Sequence, residues 1–347
     1  MTQQLSVENL SVDLDDKRIV TDVSFSLEPG EIGCLLGRSG CGKTTILNAI
    51  AGFEPPSKGC ISLGGEEVAT RLQQWPPEAR RAGMVFQDLA LFPHLTVKQN
   101  IGFGLKGQSR KEAKQRTDEL LRLVGMQDHA DSYPHQISGG QQQRIALIRA
   151  IAPRPPILLL DEPFSSQDAE LRTQLANEVR MLLKRDGITG ILVTHDQHEA
   201  FAIADHIGVV VDGTLRQWDN AYNLYHRPVD RFVADFIGEG VFVCGNTVGD
   251  NQVLTELGMI NGELLNEYKV GELVDLLVRP DDVIHDDNSP NKATVVGKHF
   301  RGADHLYTLL MPSKTRLQCL APSHHDHDIG EKIGVKLKVD HLVVFPA

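Results

Sequence analysis

The stretch "GRSGCGKTT", Gly37 to Thr45, spaces its glycines, lysine and threonine as G-x-x-x-x-G-K-[ST]. The backbone N–H groups of such a loop can wrap phosphates, which makes Gly37, Arg38, Ser39, Gly40, Cys41, Gly42, Lys43, Thr44 and Thr45 candidate nucleotide contacts. Lys43 would reach the β- and γ-phosphates of ATP, and the Thr44 hydroxyl would ligate Mg²⁺. Further on, "LLLDEP" ends an apolar run in two carboxylates, Asp161 to hold the Mg²⁺ and Glu162 to act as a base toward water. A second candidate anion site is "ISGGQQQR", Ile137 to Arg144, where a serine and two glycines precede a fresh helix N-terminus with unpaired amides. It carries no lysine, and taken alone its serine reads more readily as a helix cap than as a ligand.

Strands and loops must carry these groups to a common edge. "IGCLL", Ile32 to Leu36, is a continuous apolar run, as expected of a strand buried on both faces of a parallel sheet, and it feeds the glycine loop and a helix from Lys43 to about Ala51. Further buried strands are expected at Met84–Phe86, Ile157–Leu160, Ile191–Val193 and Ile207–Val211. Before them, "LSVENLSVDL" and "IVTDVSFSL" alternate as half-buried strands, and "EPGE", Glu28 to Glu31, supplies a turn. From Thr96 to about Ala152 the reading is mostly helical, with "SRKEAKQRTDELLRLVGM" an amphipathic helix closed by Gly125. After about Val241 short alternating runs separated by Gly, Asn and Asp indicate a small β domain, so the boundary is expected near residue 240.

Composition narrows the function classes. A chain of 347 residues with 41% hydrophobic content can hold two cores. The net charge of −11 argues against sequence-independent nucleic-acid binding, which needs a basic face. Five irregularly spaced cysteines do not form a secreted disulfide framework and fit the cytosol. No apolar run approaches the roughly 18 to 20 residues of a membrane span, so any work at a membrane would depend on partners.

Six motifs in order, "GRSGCGKTT", "VFQ", "ISGGQQQR", "LLLDEP", "SSQD" and "VTHD", resemble those of the nucleotide-binding subunit of ATP-binding-cassette (ABC) transporters over residues 5 to about 237. The resemblance implies an α/β cassette with a RecA-like P-loop core, an antiparallel β subdomain and a helical subdomain over about 88–152. A small all-β, OB-like accessory domain over 241–347 would follow the cassette of residues 1–240, as "VDLLVRPDDV", Val274 to Val283, resembles such domains of importer ATPases. It further implies Mg²⁺ with ATP as cofactor, Gln87 touching Mg²⁺ or water, Glu162 as general base and His195 on the γ-phosphate. Ser138, Gly139, Gly140 and Gln141 would close on the nucleotide of a second copy of the chain, and Asp168 would lie in the loop that crosses the dimer. The missing lysine of "ISGGQQQR" is then explained, because Lys43 of the opposite copy supplies the cation. Implied partners are a second copy, the transmembrane permease subunits and, indirectly, a substrate-binding protein, with the chain peripheral at the cytoplasmic face of the inner membrane.

"LALFPHLTVKQNIGFGL", Leu89 to Leu105, resembles the region of importer ATPases that receives a permease helix. Departures from the family pattern are Leu14 where an aromatic residue usually stacks on adenine, Ile137 for Leu, Gln167 for Leu and Arg38 for Pro. The run as a whole looks most like ATPases of ferric-ion importers, with polyamine, sugar or sulfate importers as the alternative. A soluble ABC ATPase of DNA repair or translation would add a coiled coil, a second cassette or a basic surface. A metal-binding regulator with a vestigial cassette conflicts with intact Lys43, Asp161, Glu162 and His195. Two histidine-rich runs carry weaker signals: "HDQHEA", His195 to Ala200, lacks the H-E-x-x-H spacing of zinc enzymes, and "HHDHD", His324 to Asp328, reads as a solvated loop ahead of Gly330.

Overall fold

A computed structural model describes residues 3–105, 107–165, 168–249, 251–264, 268–339 and 341–347. The chain folds as two compact units, Met1–Ala221 and Tyr222–Ala347.

In the first unit, β1 (Leu5–Leu14) and β2 (Lys17–Leu27) form a hairpin, and with β4 (Lys58–Leu63) and β5 (Glu66–Thr70) they make an antiparallel sheet in the order β2-β1-β4-β5. Between them the chain lays down β3 (Ile32–Leu36), fully buried along its length, and α1 (Lys43–Ala51). The remaining strands are β6 (Ala82–Val85), β7 (Ile157–Asp161), β8 (Thr189–Thr194), β9 (His206–Val211) and β10 (Thr214–Asp219). With β3 they order as β10-β9-β3-β8-β7-β6, parallel except for the β9–β10 hairpin. The expected strand at Met84–Phe86 is shifted, and Phe86 lies just past β6 with its ring partly in solvent.

Helices α2 (Val97–Gly102), α3 (Arg110–Leu123) and α4 (Gly139–Ile151) form the helical insertion between β6 and β7. Each starts on a capping box, through Thr96/Gln99, Ser109/Glu112 and Ser138/Gln141, so local sequence sets all three N-termini. After α3 the chain turns at Gly125, whose φ of 64° suits glycine. Two further helices flank the sheet, α5 (Ala169–Asp186) and α6 (Gln197–Ile203). Arg116 of α3 pairs with Asp186 at the end of α5 and ties the insertion to the core.

The second unit opens with α7 (Ala221–His226) and α8 (Arg231–Ile237), which lie before the expected boundary near 240 yet pack with the β unit. Arg279 is the reason. Its buried guanidinium donates to the carbonyls of Ala234 (3.0 Å), Gly238 (2.7 Å), Glu239 (3.2 Å) and Tyr225 (3.3 Å), and it lies over the Tyr225 ring. These include C-terminal carbonyls of α8 that the helix itself leaves unpaired.

Strands β11 (Val241–Gly249), β12 (Gln252–Thr255), β13 (Gly258–Asn261), β14 (Glu263–Leu264), β15 (Leu273–Val278), β16 (Val283–His285), β17 (Lys292–Phe300), β18 (Asp304–Leu310), β19 (Arg316–Pro322), β20 (Lys332–Leu337), β21 (His341–Leu342) and β22 (Val344–Pro346) complete it. They form two five-stranded sheets, β13-β12-β11-β15-β22 and β16-β20-β17-β18-β19, with β14–β21 as a short parallel pair. Val243, Val274 and Leu276 of one sheet share a core with Tyr307, Leu309 and Leu317 of the other, the all-β, OB-like arrangement expected.

Candidate functional site

The parallel strands end at one edge, where open α/β sheets bind ligands. The loop from Gly37 to Gly42 leaves β3 there. A Cβ on Gly37 would lie 2.4 Å from the Val210 carbonyl oxygen and 2.8 Å from Cys41 Sγ, so only glycine lets the loop pass so close to β9. Gly42 caps α1 at φ 102° and no side chain bonds the helix's first amides, which leaves them for a ligand. Lys43 is 5% exposed, and its ammonium donates to the carbonyls of Gly37 (2.8 Å) and Arg38 (3.0 Å). Arg38, Ser39, Gly40 and Thr44 are exposed around it, while Cys41 is buried and Thr45 half-buried.

Thr44 Oγ1 donates to Asp161 Oδ1 at 3.2 Å, joining the start of α1 to the end of β7. Burial pushes the Asp161 carboxyl up from its ordinary range. The Thr44 bond and Lys43 oppose the shift, and the Glu162 charge adds to it. A buried carboxylate beside a hydroxyl is a hard oxygen pair, and a dication would offset the cost of ionising it.

Glu162 follows at φ 45°, a left-handed backbone that non-glycine residues adopt at a cost of about 1–3 kcal/mol. Its N–H bonds the Val193 carbonyl at 3.1 Å, and its side chain lies 3.2 Å from His195 Nδ1, just past β8. His195 is half-exposed, and its neighbour Asp196 caps α6 by accepting from His198 N–H (2.8 Å) and Glu199 N–H (3.3 Å). Glu199 makes a buried contact with the Thr194 hydroxyl and lies 3.4 Å from Arg172 Nε. Burial pushes its carboxyl up. "HDQHEA" is thus a strand end and helix cap, with His195 and Glu199 engaged with different partners.

Gln87 is exposed two residues past β6, the strand that pairs with β7. Ser138 is a helix cap in its own chain: its hydroxyl accepts from Gln141 N–H (3.3 Å), and its N–H donates to Gln141 Oε1 (2.9 Å). Gly139 has open space around it. Asp168 caps α5 through Leu171 N–H at 3.0 Å, while Ser166 and Gln167 lie outside the described residues. Leu14, the residue aligned with an adenine-stacking position, is partly buried against the core. Lys43, Thr44, Asp161, Glu162 and His195 therefore join through bonds at the strand ends, whereas Ser138 to Gln141 begin a helix of the insertion.

Sequence reasoning missed two side chains of α4 that connect these places. Gln143, 1% exposed, donates to the Glu162 carbonyl (3.3 Å) and to Ser165 Oγ (3.4 Å). Arg149 donates to the carbonyls of Ala90 (2.7 Å) and Leu89 (3.1 Å), holding a turn in which both residues have positive φ. Gln143 is visible as part of "ISGGQQQR", but nothing in its spacing names a partner nineteen positions away.

Residues 20–165 match the family model described as ABC transporter, and residues 276–345 match the TOBE domain. The chain is 36% identical to the "Fe(3+) ions import ATP-binding protein FbpC" of Fusobacterium nucleatum subsp. nucleatum, over 99% of this chain and 94% of that one. The chain belongs to the ABC transporter ATP-binding family. Its cassette resembles two solved structures of MJ0796 at TM-score 0.55: a dimeric post-hydrolysis state bound to ADP and Pi (29% identity) and a dimeric bacterial ABC transporter cassette (28%). Each covers 62% of this chain and 98% of that one. The cassette is accordingly an ATP-binding ABC ATPase, followed by a TOBE domain. Among the described residues no helix is long and apolar enough to cross a membrane.

Proposed function

We propose that this ATPase drives ferric-ion import as a head-to-tail dimer on the cytoplasmic face of a transmembrane permease, fed by a substrate-binding protein. The observation that carries the ATPase reading is the buried Lys43 ammonium, held by backbone carbonyls on a helix N-terminus and linked through Thr44 to a buried acid. Ferric iron as cargo rests on the similarity to the Fusobacterium protein.

The loop of residues 37–45 binds the ATP phosphates by its amides, and Lys43 neutralises charge on the β- and γ-phosphates. Thr44, Asp161 and Gln87 would hold Mg²⁺, which supplies neutralisation of phosphate charge when bound. Glu162 takes the proton of the attacking water, and His195, hydrogen-bonded to Glu162, contacts the γ-phosphate. Ser138, Gly139, Gly140 and Gln141 approach the nucleotide of the opposite copy with a hydroxyl, amides and a helix dipole, and Asp168 lies in the loop crossing the dimer. Phe103 packs on Phe92, over which Arg149 lies, and Phe53 packs on Phe86. The exposed rings of Phe53, Phe86 and Phe103 support docking of an apolar permease segment there.

The test is the complex of this chain with its permease in vesicles, supplied with binding protein loaded in turn with ferric iron, a polyamine, a sugar or sulfate. Stimulation of ATP hydrolysis and uptake by ferric iron alone is expected. Stimulation by a sugar-loaded binding protein without iron would overturn the cargo assignment and leave the ATPase reading intact.

A further inference from the structure

The "HHDHD" run is a braced segment. It lies between β19 and β20, and the buried Tyr307 hydroxyl donates to the His325 carbonyl at 2.7 Å and accepts from His327 N–H at 3.1 Å. With Tyr307 fully buried, the backbone of residues 325–327 is fixed against the sheet. Asp326 pairs with Lys298 and lies 3.5 Å from His305 Nε2, while His327 and His325 gather on His285 at the end of β16.

The His285 and His327 rings are 4.6 Å apart at their centroids, with side chains only 13% and 15% exposed. The exposed His325 ring is 5.7 Å from His285. Each of the two inner rings has a carboxylate on one nitrogen: Asp287 on His285 Nε2 (2.9 Å) and Glu331 on His327 Nδ1 (3.0 Å). Glu331 is itself fixed, accepting from Asp328 N–H at 3.0 Å. A carboxylate on one imidazole nitrogen sets the tautomer and turns the other nitrogen's lone pair to a ligand, which is how metal-binding histidines are held. His327 Nε2 is buried and has no hydrogen-bond partner, and such an atom needs an explanation in an ion, a water or a ligand.

We propose that His285 and His327 are two ligands of a site for a first-row transition-metal dication of the zinc, cobalt and nickel class, completed by His325. Among the described residues no three donors converge as the side chains stand, so the exposed His325 ring turns in to complete the set. Imidazole donors suit these metals and not Mg²⁺ or Ca²⁺, which take oxygen, so the site differs in kind from the Thr44–Asp161 pair. Binding ties the segment after β19 to the end of β16 and constrains this edge of the TOBE domain, whatever cargo the transporter carries.

The test is titration of the full chain with Co²⁺, read by the visible absorption of the low-coordinate ion. One equivalent should bind, free of thiolate charge-transfer absorption, and Zn²⁺ should displace it. H285Q and H327Q should each weaken binding at least tenfold, and Glu331→Gln by about 10- to 100-fold through the lost orientation of His327. The His226→Gln/His341→Gln double variant, at another pair of neighbouring histidines, should bind like the parent chain. Zn²⁺ should raise the melting temperature of the parent and not that of H285Q/H327Q, whose folding is checked independently by circular dichroism. Equal Co²⁺ affinity in the parent and H285Q/H327Q, or loss of binding only in the His226/His341 variant, would overturn the proposal. So would the absence of a cobalt band at millimolar Co²⁺, which would leave a buried water on His327 Nε2.

Discussion

At the residue scale, the site sets two acids side by side with different surroundings. Glu162 is only partly buried and touches His195, whereas Asp161 is buried against Thr44. Glu162→Gln keeps the shape and removes the base, so steady-state ATP hydrolysis should fall by about 10²- to 10⁴-fold while ATP still binds and an ATP-dependent dimer accumulates. Normal turnover of this variant would remove Glu162 from its role. For Asp161 the folded pKa lies above the ordinary one, so ionising it costs stability as pH rises past the usual carboxylate range. Asp161→Asn should therefore raise the denaturant midpoint of the nucleotide-free chain at neutral pH, have little effect on it at pH 3, and abolish Mg²⁺-dependent hydrolysis. The contributions of Lys43 and Thr44 are legible in sequence because a strand, a loop and a helix in immediate succession fix their geometry, and that of Asp161 because it ends a continuous apolar run. Gln143 and Arg149 are not, because their partners, the Glu162, Ala90 and Leu89 carbonyls and the Ser165 hydroxyl, lie in distant segments, and a carbonyl has no sequence identity.

At the scale of elements, α4 is the piece that does most. One end carries Ser138, the middle reaches the Glu162 carbonyl through Gln143, and the far end holds the turn at Leu89–Ala90 through Arg149. Through its attachments at the Glu162 carbonyl and at Leu89–Ala90, one helix thus touches both the nucleotide edge and the turn after β6. Strand β3 is anchored to α5 by Asp205, which accepts from the Ile32 N–H (2.8 Å) and pairs with Arg180 and Lys184. Against the raising effect of burial, Lys184, the Ile32 amide and Arg180 hold its carboxyl below the ordinary range. That stabilisation is present above about pH 4 and is lost as pH falls through the lower folded value. Asp205→Asn should lower the midpoint at neutral pH and flatten the dependence of stability on pH below 4, measured by urea unfolding. Helix starts are readable here from capping boxes and strands from apolar runs. The allegiance of α7 and α8 is not, because it rests on the buried guanidinium of Arg279, which lies 40 to 45 positions from Ala234, Gly238 and Glu239.

At the scale of the whole molecule, the proposed dimer pairs a nucleotide loop that has a lysine with a glycine-rich helix start that has none. Ser138 caps its own helix, so substituting it should leave ATP binding to the isolated chain nearly unchanged. If these halves meet between two copies, mixing two inactive chains restores a complete site. Lys43→Ala and Ser138→Arg should each be inactive alone. In their mixed dimer one site combines both lesions, while the other pairs an intact Lys43 with an intact Ser138. ATP hydrolysis should reappear on mixing, at about a quarter of the parent sites if the chains pair at random. If the mixture stays as inactive as its components while mixed dimers form, both halves serve the same chain and the composite site is wrong.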